Sequence, residues 1–144
     1  MRHRLHLRLL VAFGATFALG ACAKAPAAPK SAGSVSFATL KDGDTVKSPL
    51  EVCIDAQGLV VEPAGEVKPG HGHHHILVDV PLPGLDAPIG KDEQHIHMGD
   101  GSRCHTLELS PGEHTLRLLF ADGMHVPYDP PITAQVVVKV AAGE

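Results

Sequence analysis

The chain has no tryptophan, one tyrosine and four phenylalanines, so its core must be packed with Val, Leu and Ile. Basic residues are also scarce. Three of the 12 Lys+Arg lie in the first eight residues (Arg2, Arg4 and Arg8), and beyond residue 21 there remain 9 against 16 Asp+Glu, near −7 with neutral histidine. That balance excludes a nucleic-acid binder or a protein held on anionic lipid by charge, both of which need basic patches. Past the first 21 residues no apolar run approaches bilayer length. No segment keeps a long helical period. Neither a His-Glu-x-x-His helix nor a Gly-x-Ser-x-Gly elbow occurs, which removes two common hydrolase chemistries.

The first 21 residues read as an export signal. Met1 to Arg8 is short and basic, and Leu9 to Ala21 is an apolar run too short to span as a mature helix. The run ends Leu19, Gly20, Ala21, Cys22, a lipobox in which Cys22 is acylated and becomes the new N-terminus. No aspartate follows Cys22, so the expected location in a Gram-negative envelope is the periplasmic face of the outer membrane, with the lipid as the membrane attachment. Residues 22–33 are a Pro/Ala tether that can extend but cannot build a core. Residues 34–144 make one domain.

Two cysteines remain, Cys53 and Cys104. In an oxidising compartment such a pair is expected as a disulfide, with free thiols or thiolate ligands as the alternatives.

Histidine is what the chain has in excess. Nine of its 11 histidines follow the signal segment, and seven of those fall in three clusters: His71, His73, His74 and His75; His95 and His97; and His125. Neutral imidazole is the commonest side-chain ligand for zinc, copper and nickel. Residues two apart on a strand share a face, so His73 with His75, and His95 with His97, can each grip one ion. His125 completes the expected ligand set. His74 points the other way, with Ile76 and Val78, as a buried or orienting group. His71, Met98, Met124 and Asp129 are accessory candidates, and Asp122 is placed to orient an imidazole. His105 reads as a surface residue, and His114 as a structural one at the start of a strand.

Short alternating runs bounded by Gly, Pro and Asp predict an all-β domain. Strands are expected over 35–40, 50–56, 73–80, 103–109, 114–121 and 132–140, with a short strand or loop over 86–94. About seven strands in this length suggest an immunoglobulin-like sandwich. In that fold the second and fourth main strands are neighbours, which places Cys53 and Cys104 side by side on an outer face. The connections holding the histidine clusters then lie at one pole.

Several motifs carry a resemblance. They are Pro63 to Gly65, Lys68 to Gly70, Gly72 to Asp79, Leu85 to Ile89, His95 to Gly99, Leu109 to Leu116 and His125 to Pro131. In these the chain resembles a bacterial family of secreted domains, domain of unknown function forty-three ninety-nine. The resemblance implies no activity. It marks His73, His74, His75, His95, His97, His125 and Asp129 as pattern positions.

The functional expectation is an envelope lipoprotein that binds copper or zinc through imidazoles, in metal handling or delivery. One alternative is a tethered interaction module without metal, whose partner is another envelope protein. The other is a small metalloenzyme using Glu93 or Asp129.

Overall fold

The computed structural model describes residues 33–143. The expected export signal, the expected lipidation site Cys22 and nearly all of the expected tether fall outside them. The described chain is all-β, with nine strands: β1 Ser34–Phe37, β2 Thr45–Val46, β3 Leu50–Gln57, β4 Val60–Val61, β5 His71–Val78, β6 His95–Met98, β7 Cys104–Leu107, β8 Gly112–Ala121 and β9 Thr133–Val140. They form two sheets packed as a sandwich. One has the order β1-β3-β7; the other runs β2-β9-β8-β5-β4, with β6 also paired to β5.

The core between the sheets is aliphatic, as the shortage of aromatics requires. Val52 and Ile54 from β3, Ile76 from β5, Leu116, Leu118 and Phe120 from β8, and Val138 from β9 are all essentially inaccessible. Alternation puts each of these sets on one face. Tyr128, the one tyrosine, stacks on Phe120 at 5.8 Å and donates its hydroxyl to the His71 carbonyl at 2.8 Å.

Strand β5 is bonded along both edges. Antiparallel β8 lines one edge, from His73↔Ala121 to Val78↔Leu116. The other edge is shared: β4 runs parallel to it at His71 and Gly72, and β6 takes over antiparallel from His74↔Met98 to Leu77↔His95. At Gly72 a Cβ would overlap the Ala121 carbonyl, so only glycine fits there.

One strand is added and two strand ends are corrected. The added strand is His95–Met98, which pairs with β5, while 86–94 takes the loop form of the expected short strand or loop. The third expected strand ends at Val78 instead of Val80, since Asp79 takes φ 59°. That left-handed residue breaks the alternation, so Val80 joins a second apolar cluster of Leu77, Ile89, Leu119 and Ala121. The first strand stops at Phe37.

Cys53 and Cys104 are directly opposed in the β3–β7 register and form a disulfide. The bridge closes a loop across a separation of 51 residues. Replacing both cysteines by alanine is expected to lower the unfolding free energy by about 2–4 kcal/mol, read from urea denaturation, with the β-type far-ultraviolet circular dichroism retained.

Candidate metal centre

The period of two along β5 sends His73 and His75 to the outer face of the larger sheet and His74 to the inner face. All three are fully buried. His97 on β6 lies opposite His75 in the register and so shares the outer face. His125 arrives from the connection between β8 and β9. The four rings form one group. His73 lies 5.0 Å from His75, 5.0 Å from His97 and 4.9 Å from His125, centroid to centroid. His97 and His125 are 4.7 Å apart, and His75 is 5.1 Å from His97 and 6.1 Å from His125.

Ligand nitrogens from His73, His97 and His125 all fall within 4.8 Å of one another. The Nε2 atoms of His73 and His75 are 3.1 Å apart. Two nitrogens on a tetrahedral zinc ion, with bonds of 2.0–2.1 Å, stand roughly 3.3 Å apart. The His73–His75 spacing therefore suits a shared ion as well as a hydrogen bond. Three buried ring nitrogens of the group, Nδ1 of His73, Nδ1 of His75 and Nε2 of His97, have no hydrogen-bond partner in the protein. Each such orphan costs about 1–3 kcal/mol, so the group is poorly satisfied by the chain alone.

Burial drives the electrostatics. Desolvation, aided by repulsion from His125 and His97, lowers the His73 pKa to about 4. Desolvation followed by the neighbouring imidazoles lowers that of His75 to about 3. His74, buried against Phe120 at 5.4 Å, is lowered to about 4 by burial and then by Arg103 and His73. His97 is also lowered, again first by burial. The rings are thus neutral at pH 7, the form a metal binds.

His125 is held by its backbone. It adopts φ 70°, uncommon for a residue with a side chain. Its N–H donates to the Asp122 carbonyl at 3.0 Å, and its own carbonyl accepts the Ile89 N–H at 2.9 Å. Oδ1 of Asp122 accepts the N–H groups of Met124 at 2.8 Å and Val126 at 3.0 Å. The carboxylate thus brackets His125 through its neighbours' amides, while Ile89 is buried in the second apolar cluster. Gly99 packs beneath the His97 ring, and a Cβ there would collide with Cε1 and Nε2. Sequence reasoning placed Asp122 near an imidazole but not on the amides, and it gave no role to Ile89 or Gly99. The tertiary approach of the 79–94 segment reveals Ile89, and the fold of the His97 ring over its own strand end reveals Gly99.

The remaining candidates stand apart from the three-imidazole group. His95 bonds Asp92 through Nδ1 at 2.8 Å, in register with Leu77. His71 faces Glu62 at 3.2 Å. Met98 and His74 are cross-strand neighbours on the inner face, Met124 is 58% exposed, and Asp129 is exposed. Glu93 lines a different cleft, with His105 and His114. His114 is a structural clasp. Its Nδ1 meets Asp79 at 2.7 Å and its Nε2 meets the Ser110 carbonyl at 2.9 Å. Burial alone would lower its pKa, but these acceptors outweigh it and raise it.

The profile of the family described as Domain of unknown function (DUF4399) matches residues 52–141, and the chain belongs to that family. The match takes in every histidine of the group. No curated protein and no solved structure matches the chain significantly.

Two outcomes are expected. The unfolded chain binds protons near pH 6.5 at His73, His74 and His75, while the folded chain resists them to about 4 or 3. Their contribution is whole above pH 6.5 and is lost as pH falls through that window. A fall from 6.5 to about 4 or 3 is worth roughly 3 to 5 kcal/mol for each group taken singly, so metal-free protein should unfold cooperatively between pH 6.5 and 4. Circular dichroism against pH should follow this, with the emission of Tyr128, stacked on Phe120, as a second probe. Second, Asp122→Ala should weaken binding of any ion held by His125 about 10- to 100-fold, by competition titration, with the thermal midpoint shifted only a few degrees.

Proposed function

We propose that this domain binds one transition-metal ion, copper or zinc, through His73, His97 and His125, with His75 as a fourth ligand or as the hydrogen-bond partner that orients His73. The observation that carries this reading is the convergence of imidazoles from three separate chain segments. Buried nitrogens of His73, His75 and His97 lack partners, and burial keeps the His73 and His75 rings neutral at pH 7. An all-imidazole donor set suits Cu(II), Zn(II) and Ni(II) better than the hard cations Mg and Ca. Two ligands are fully buried, while His97 and His125 keep partial exposure, so the ion would sit at the surface and remain exchangeable.

Together with the lipobox of Leu19 to Cys22, this supports an envelope lipoprotein that holds or delivers metal. It does not favour hydrolysis. The carboxylate next to the group, Asp122, has its Oδ1 taken up by two backbone amides, which suits a bracket for the loop better than a general base.

Elemental analysis of protein purified untagged and without chelating resin should find about one equivalent of copper or zinc. The variant His73→Ala, His97→Ala, His125→Ala should hold none and keep its circular dichroism spectrum. Stoichiometric metal in that variant would refute the site. A wild-type protein that neither carries nor takes up copper or zinc would leave the metal-free interaction module as the better account.

A further inference from the structure

Large apolar side chains exposed among the described residues are Val60, Val67 and Met124, at 47%, 55% and 58%. Met124 directly precedes His125 in the chain. Val60 pairs with His71 at the start of β5. Val67 and Met124 belong to two loops that touch: the Gly65 N–H donates to the Gly123 carbonyl at 2.8 Å, and Gly123 packs so closely on residues 65 and 66 that a Cβ would strike their carbonyls. Between these loops a shallow cleft of about 170 Å³ is walled by Val67, Pro69, Val126 and Pro127. One of the two loops carries His125.

The charges around this patch are mostly acidic. Across residues 62–70 and 122–129 the acids are Glu62, Glu66, Asp122 and Asp129, and Lys68 is the sole base. Lys68 is occupied by Glu62 at 3.3 Å and Glu66 at 3.9 Å, and Glu66 is 80% exposed. An apolar patch with a polar rim marks a docking surface. The rim's charge decides what docks: a second copy of this chain would set acid against acid, and an anionic bilayer would be repelled. A basic partner is steered in. So small a patch gives a weak, short-lived complex, which is what passing an ion between two proteins requires.

We propose that the patch centred on Val67 and Met124 docks a metal-carrying protein with an apolar contact face and a basic rim, and that metal passes between that partner and the imidazole group. This rests on the metal-binding reading above.

The test uses the full chain and two metal sources. One is a lysine-flanked synthetic peptide with histidine ligands, loaded with Cu(II) or Zn(II), whichever the chain retains. The other is the same ion as a small complex in dilute buffer. The variant carries Val67→Asp and Glu66→Lys, both on exposed side chains outside the ligand group. Transfer from the peptide should slow at least tenfold in the variant, while uptake from the small complex keeps its rate and stoichiometry. Replacing the peptide's lysines by glutamates should slow transfer to the wild type similarly. Equal peptide transfer by variant and wild type overturns the docking proposal and leaves the metal centre standing. Patch-dependent binding to phosphatidylethanolamine and phosphatidylglycerol vesicles, without an effect on peptide transfer, overturns it in favour of lipid. Failure of the wild type to take the ion from the small complex removes the metal centre itself, and the proposal with it.

Discussion

Strand β5 cannot turn over. Hydrogen bonds to β8 fix one edge and those to β4 and β6 fix the other, so the alternation of its side chains is locked from His73 to Val78. A slip of one residue would carry Ile76 and Val78 out of the core and bring His73 and His75 into it. The centre depends on that register. His97 shares it through direct pairing with His75, and His125 reaches the same face because β8, the other neighbour, ends at Ala121 opposite His73. The apolar demands of the core thus position polar groups on the far side of the sheet.

Sequestering imidazoles on that face is costly. Nitrogens without partners and pKa values lowered to about 3 or 4 mark unfavourable desolvation. The chain tolerates this because the supports around the rings are made of fully bonded backbone. The Asp122 carboxylate closes the 122–126 turn, Ile89 clamps the His125 carbonyl, and Gly99 leaves room for the His97 ring. Such a site is organised before any ligand arrives, so binding spends little on ordering loops.

Much of this was legible in the sequence. The all-β class, the two-apart pairing of His73 with His75, the inward turn of His74 and the opposition of Cys53 and Cys104 all follow from a period of two and from strand adjacency. The structural role of His114 was also foreseen, from its place beside a turn. What could not be read was which clusters meet. His95 and His97 look equivalent on paper, yet one pairs with Leu77 and an aspartate three residues away, while the other enters the group. That difference is set by where β6 lies along β5. The strand over 95–98 and the early end of β5 escaped for a similar reason: both are decided by tertiary neighbours and by one left-handed residue, not by hydrophobic pattern.

That residue, Asp79, has a consequence for how the domain tolerates change. Its carboxylate takes the Thr115 amide and the His114 ring, its own amide reaches the Thr115 carbonyl, and Arg117 holds the Val80 carbonyl. The far end of the excursion is fixed by β6, and its midpoint by Ile89. The chain between 81 and 94 is therefore pinned at both ends, where Leu82 packs on the second apolar cluster and Asp92 caps Gln94 and His95, and at Ile89. Residues can be inserted or deleted on either side of Ile89 while both anchors and the histidines stay in place. Length variation among relatives should collect in those two intervals, giving the domain a surface that evolution can reshape without touching its centre.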